Sequence, residues 1–275
     1  LNDDFKIYWN NFPIAKLSKG NNYLNPNFEL IVDEILEQNQ RQKLSEYINK
    51  WVQNKINTVL KSLIELKNIN EKNSSIKALA YQLYENNGVL KREQVSDYLK
   101  SLAQNERKIL RELGVKFGRY HVFLYQLIKP EAVSLRTLLW KNFHQKYYNL
   151  KPPTFGLNFL DDKESKNKNF MLLCGFEKFD TLFVRIDILE RLFMLIINSD
   201  SKEKKEIKMI PEMLNLLGCS KDNFIKLLQK MRYKVFEKNN ETFFKYSPIK
   251  KFERNLNKKV SSENPFKVLK NLNLG

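Results

Sequence analysis

The segment from Gly114 to Trp140, GVKFGRYHVFLYQLIKPEAVSLRTLLW, constrains this chain more than any other. It places two of the eight glycines, one of the two histidines and one of the eight prolines between apolar runs. Ile109, Leu110 and Leu113 recur at helical spacing up to Gly114, which stands where a helix end needs a left-handed residue. Val115 and Phe117 then alternate with Lys116, as in a half-buried strand. After Gly118 the apolar set resumes at Tyr120, Val122 and Leu124, one residue out of step. A glycine at such a slip predicts a bulge or tight turn, with Lys116, Arg119 and His121 at the bend. Lys129-Pro130-Glu131 predicts a helix start with proline at the first helical position. Val133, Leu135, Leu138, Leu139, Trp140 and Phe143 give that helix a broad buried face.

Charge is the second constraint. Lys and Arg number 48 against 31 Asp and Glu, a formal net charge of +17. Part of the excess reflects a Lys-, Asn- and Ile-rich composition of the kind AT-rich genomes produce. The remainder favours a polyanionic partner, nucleic acid first. At 275 residues the chain buries a substantial core in one large or two ordinary domains. It begins at Leu1, which predicts a piece of something longer. No stretch reaches the roughly 18 apolar residues of a membrane span, and there is no signal-peptide pattern. Cys174 and Cys219 make no disulfide framework and no C-x-x-C exists, so a reducing, cytoplasmic setting is expected, with no membrane partner.

Periodicity predicts a mainly α fold with short β-hairpins. Residues 1–24 read as a short β unit, with strands at 6–9 and 14–17 around a turn-rich link. Residues 25–150 read as a helical accessory domain with the strand-like insert at 114–124. Its first helix starts at Asn25-Pro26 and carries Phe28, Ile31, Val32, Ile35 and Leu36. The most periodic one runs from Leu44 to Leu63 after a polar break at 37–43, and places Tyr47 and Trp51 on its apolar stripe. At that spacing the two rings read as core, not as a base-stacking platform. Helices are expected after Ser74-Ser75, at 91–102 and at 105–113. Residues 151–169 are the expected linker.

Residues 170–248 read as a winged-helix-like domain. Strands are expected at 170–176 and 181–186. Asp187-Ile188-Leu189-Glu190 supplies a capping box for a central helix. Further helices follow at 211–217 and from Lys221, then a hairpin across Lys238-Asn239-Asn240-Glu241. Three helices followed by a hairpin is the winged-helix order. Residues 249–275 read as a disordered basic tail, with Phe266, Val268, Leu269 and Leu272 able to form one short docking helix.

No catalytic constellation stands out. No glycine precedes Lys-Ser or Lys-Thr, so the phosphate-cradling loop is absent. His121 and His144 lack companions at metal-ligand spacing. Asp33-Glu34 continues an amphipathic pattern, and Asp161-Asp162 reads as solvated loop charge. The two cysteines read as small buried residues.

Several stretches, in order, carry a resemblance. GVKFGRYHVFL followed by LIKPEA and LRTLLW is one. WNNFPIAKLSKG at 9–20, LYENNGVL at 83–90, VRIDILERL at 184–192 and LLGCSKDNF at 216–224 are the others. Together they resemble the long C-terminal region, beyond the two motor domains, of bacterial superfamily-two RNA helicases related to the mitochondrial degradosome helicase. The resemblance covers nearly all of the chain except its lysine-rich end. It implies a non-catalytic accessory region that guides single-stranded RNA and packs on the motor domains. ATP and Mg²⁺ would be bound by those motor domains, none in this chain, and a ribonuclease or ribosome-associated partner is implied.

Candidate nucleic-acid contacts are Lys116, Arg119, Tyr120 and His121 at the bend, with Lys129 beside it. Lys116 and Arg119 could instead dock on the motor domains. In the C-terminal domain the candidates are Lys221, Lys226 and Lys230 on the last helix, then Arg232 and Lys234, with Lys238 and Lys245 on the hairpin. Two other readings fit the residues: a winged-helix DNA-binding regulator, or a protein-interaction scaffold whose basic face is fragmented by carboxylates.

Overall fold

A computed structural model describes residues 1, 4–32, 36–69, 74–162, 167–199 and 206–247. Asp33-Glu34 and the basic tail expected over 249–275 lie outside them, as do Lys163, Glu164 and Lys166 of the expected linker. About 51% of the described residues are helical and 25% lie in strands, which form four three-stranded antiparallel sheets. The helix content agrees in part with the expected mainly α chain, but four three-stranded sheets stand where short β-hairpins were expected, which also corrects the expectation of a winged-helix-like end. Each expected hairpin has gained a third strand: β3, whose residues fit a helical period as well as a strand's, and three strands of two or three residues, too short to show an alternating pattern.

The first sheet is β1 (Lys6–Trp9), β2 (Phe12–Asn22) and β3 (Asn25–Leu30), in that order. Asn10 and Asn11 both take positive φ, the geometry of a two-residue hairpin turn. The helix expected from Asn25 is instead the strand β3. Leu24 and Pro26 are buried and Phe28 and Leu30 half-buried, with exposed residues between them, so period two wins over 3.6. Pro26, lacking an N–H, sits on an edge strand where the ladder to β2 is interrupted.

α1 (Gln38–Val59) starts within the expected polar break, where the Gln40 side chain accepts from the Glu37 amide. It leads into α2 (Lys61–Lys67) and α3 (Ser74–Glu85). β4 (Val89–Lys91) then precedes the short helices α4 (Ser96–Ser101) and α5 (Gln104–Glu112). The hairpin β5 (Val115–Phe117) and β6 (His121–Leu124) follows, with β6 also pairing with β4. α6 (Pro130–Phe143) begins with its proline in the first turn and is buried along most of its length.

The second half repeats that strand plan. β7 (Phe159–Asp161) joins the hairpin β8 (Phe176–Phe179) and β9 (Leu182–Arg185) through β9. Residues 170–173, expected in a strand, belong instead to α7 (Lys168–Leu173), which Asn167 caps by accepting from the Phe170 amide. α8 (Ile186–Asn198) leads to β10 (Ile207–Lys208), α9 (Pro211–Leu217) and α10 (Lys221–Lys230). β11 (Tyr233–Lys238) and β12 (Glu241–Tyr246) close the described chain, with β10 on the outer side of β12. A two-residue strand before two helices was invisible to periodicity.

One apolar core runs from Phe5 to Leu139 and another from Leu182 to Phe244. Two smaller clusters join them: Val133 and Trp140 against Phe170 and Phe183, and Val89 and Phe123 against Ile186. Between the halves lies Arg136, fully buried on α6. Its guanidinium donates to the carbonyls of Asn87 at 2.7 Å, Leu127 at 2.6 Å and Leu173 at 2.9 Å. Leu173 is the last residue of α7, where helix carbonyls are unpaired and partially negative, and Asn87 lies two residues beyond the end of α3. Burial lowers the Arg136 pKa to about 10, so the group remains a cation at neutral pH.

Arg136→Met leaves the buried carbonyls of Leu127 and Leu173 and the half-buried carbonyl of Asn87 without this donor, at ~1–3 kcal/mol for each buried group. It is expected to cost at least ~3 kcal/mol, and Arg136→Lys to recover only part of that, both measured by urea denaturation.

Candidate nucleic-acid interface

The bend at 116–121 is an internal joint. Glu190, on the second turn of α8, turns its carboxylate back across the chain onto three consecutive amides. Tyr120 and His121 donate to Oε1, each at 2.9 Å, and Arg119 donates to Oε2. Successive amides converging on one anion form a nest, the backbone counterpart of a helix N-terminus. This corrects the capping box expected at 187–190. Arg185 is the cap residue of α8, and Asp187 accepts from the Arg185 side chain at 2.7 and 3.1 Å.

Gly118 exists for this carboxylate: a Cβ there would lie 2.3 Å from the Glu190 Cδ. The Gly118 amide donates to the His121 carbonyl at 2.8 Å, closing the turn. Arg92 clamps it from outside, donating from Nη1 to the Gly118 carbonyl and from its amide to the Tyr120 carbonyl, both at 2.8 Å.

His121 continues the network inward. It is 2% exposed; its Nε2 lies 3.0 Å from Glu177 and its Nδ1 3.6 Å from Glu190. Lys91 meets the other Glu177 oxygen at 2.8 Å. Burial pulls the His121 pKa down, but hydrogen bonds and charge from Glu177 and Glu190 outweigh it and raise the value above the ordinary 6.5. Burial likewise opposes ionisation of Glu177, yet His121 and Lys91 hold its pKa below 4.5. The joint is therefore an ion network, Lys91–Glu177–His121–Glu190, closed on backbone amides.

These contacts change what the bend residues can do. His121 has no open face for a base. Tyr120 is half-buried with its ring edge-on to Phe193 at 5.4 Å, and burial followed by the neighbouring Tyr233 raises its pKa well above the usual phenol range. Arg119 is exposed, but its guanidinium lies over the Phe193 ring at 5.5 Å, on the wall of an apolar groove shared with Met194 and Leu216. Lys116 and Lys129 remain exposed.

The C-terminal candidates fall on separate surfaces. On α10, Lys221 pairs with Glu237 at 3.7 Å and Lys230 with Asp180 at 2.7 Å. Lys226 and Arg232 are exposed, with no ion pair among the described residues. The hairpin brings different groups together. Asn239 and Asn240 both take positive φ, and the two-residue turn sets Lys234 directly opposite Lys245. Phe236 faces Phe243 next along the same side, their rings stacked at 6.1 Å and 17°. Lys208 on β10 is in register with Phe243, held by Glu241. Tyr233, Val235 and Phe244 alternate onto the other, core-facing side.

This outward face of lysines around a ring pair was missed as a unit. Its signal was present: the Asn239-Asn240 turn determines the register that aligns Lys234 with Lys245. Only β10, and with it Lys208, needed the structure.

Among the described residues no group of His, Cys, Asp and Glu is arranged to hold a metal ion. Burial pushes the Cys219 thiol up to about 11, and Cys174 is buried. No described helix is long and apolar enough to cross a membrane. The chain matches no protein-family model, no curated protein and no solved structure.

Gly118→Ala is expected to expel Glu190 from its nest and to destabilise the chain by more than ~2 kcal/mol, seen as a lower urea midpoint. The pH profile of stability follows from the two shifts. His121, raised, contributes fully below 6.5 and loses its contribution as pH rises through its folded value. Glu177, lowered, contributes fully above 4.5 and loses it as pH falls through its folded value. The stability lost in His121→Gln is therefore expected to be greatest between those pH values and to shrink on the alkaline side.

Proposed function

We propose that this chain is the non-catalytic accessory region of an ATP-dependent RNA helicase, and that it holds single-stranded RNA on the outward face of its C-terminal sheet. The observation that carries the reading is the Lys234–Lys245 cross-strand pair beside the stacked Phe236 and Phe243. Like charges directly opposite in a sheet destabilise it. Both lysines are exposed, and neither has an ion pair among the described residues. A phosphate bridging them relieves that repulsion, and the adjacent rings offer apolar surface to bases. The net charge of +17 supplies the long-range attraction. In this reading ATP and Mg²⁺ belong to motor domains outside this chain.

A second role is favoured on α10. There cations and carboxylates interleave, as in Lys221–Glu237 and Lys230–Asp180. An interleaved face suits packing on protein, here the motor domains in cis.

Lys234→Glu creates an opposite-charge pair with Lys245. It is expected to leave the fold intact, or to stabilise it by up to ~1 kcal/mol. The same change should weaken binding to oligouridylate and reduce the salt slope by about 0.7 for each phosphate that is no longer neutralised. Unchanged affinity across a salt series overturns the proposal. So does RNA-stimulated ATP turnover by this chain alone.

A further inference from the structure

On α1, Lys43, Tyr47, Trp51 and Lys55 recur every four residues, the spacing that aligns side chains along one helix face. Sequence periodicity assigns the two rings to the core. The buried stripe is instead Ile48, Val52 and Ile56, leaving Tyr47 54% and Trp51 37% exposed. The β1–β2 hairpin adds Trp9, 50% exposed, opposite Phe12, 74% exposed, across the Asn10-Asn11 turn. The rings of Trp9 and Tyr47 lie 5.7 Å apart at 46°, so hairpin and helix build one patch. The Lys55 Nζ lies 5.9 Å from the centre of the Trp51 ring.

Four large rings in one exposed patch mark an interaction surface. Its charge selects the occupant. A lysine stands at each end of the ring pair, about 18 Å apart along the helix axis. The surface therefore offers flat apolar faces between two cations, the complement of flat apolar bases between phosphates. We propose that Trp9, Tyr47 and Trp51 form a stacking platform for unpaired bases of single-stranded RNA, with Lys43 and Lys55 meeting the flanking phosphates. The inference rests on the RNA-binding reading above, but on residues separate from the C-terminal sheet.

Tryptophan fluorescence separates the two sites. The chain has three tryptophans; Trp9 and Trp51 lie on this platform, and Trp140 is buried. The proposed C-terminal face carries none. Titrating the full chain with oligouridylate is expected to quench tryptophan emission, with the midpoint given by anisotropy of the labelled strand. The quenching should vanish in the Trp9→Phe/Trp51→Phe variant. Tyr47→Ala with Trp51→Ala is expected to weaken single-strand binding roughly tenfold or more, while binding to duplex RNA stays within about twofold. Since the rings are exposed, thermal melting should place these variants close to the parent chain.

Binding without quenching, abolished by Lys234→Glu, overturns the platform alone and leaves the C-terminal face as the site. An equal loss of duplex and single-strand affinity in Tyr47→Ala/Trp51→Ala also overturns it, since stacking requires unpaired bases. No binding to either RNA overturns both proposals.

Discussion

A carboxylate held by three consecutive backbone amides joins the two halves of this protein. Glu190 reaches from α8 into the turn between β5 and β6, and its own helix begins with Ile186, packed on Val89 and Phe123. Desolvating a carboxylate costs several kcal/mol, so the contact holds only because amides and His121 surround it. Removing the Cβ at position 118 is what allows that approach. The alignment of β5–β6 with α8, and of the apolar clusters on either side, follows from one anion and the space made for it. Arg136 is its cationic counterpart, a buried charge solvated by backbone carbonyls.

Around that joint one strand plan recurs. In three of the four sheets a hairpin receives an earlier strand on its second strand: β4 on β6, β7 on β9 and β10 on β12. Each earlier strand is separated from its hairpin by one or two α-helices, and has three residues or fewer. The short strand covers one hydrogen-bonding edge of its hairpin, which limits edge-to-edge pairing with other chains. Its helices meanwhile bury the apolar face. Of these three sheets, only the C-terminal one keeps an outward face for polar groups, Lys234 and Lys245 among them; β6 and the first three residues of β9 are buried on both faces.

The surface chemistry follows from what these hairpins leave uncovered. At Asn10-Asn11 and Asn239-Asn240 the two-residue turns project paired side chains, Trp9 with Phe12 in one case and a lysine-and-phenylalanine ladder in the other. On α10 the cations are largely answered by carboxylates. A net charge of +17 is thus not spread evenly. Among the described residues, Lys234 and Lys245 stand exposed and without an ion pair beside the half-buried rings of Phe236 and Phe243.

Local events were legible in the residues. Gly114 at a helix end takes φ of +89°, Val115 to Phe117 form a strand, Pro130 opens α6, and Asn239-Asn240 makes the hairpin turn. Each depends on a few neighbouring dihedrals, which sequence encodes directly. Period alone misassigned β3, the segment at 170–173, and the rings of Tyr47 and Trp51. Leu24 to Leu30 supports period two as well as 3.6, and an amphipathic stripe has two borders. Which border is buried depends on what packs there. That Glu190 would fill the turn at Gly118 rather than cap its own helix was decided only by tertiary structure. The carboxylate and its amides are about seventy residues apart in the chain, and no local pattern records an attraction that exists only once the two halves meet.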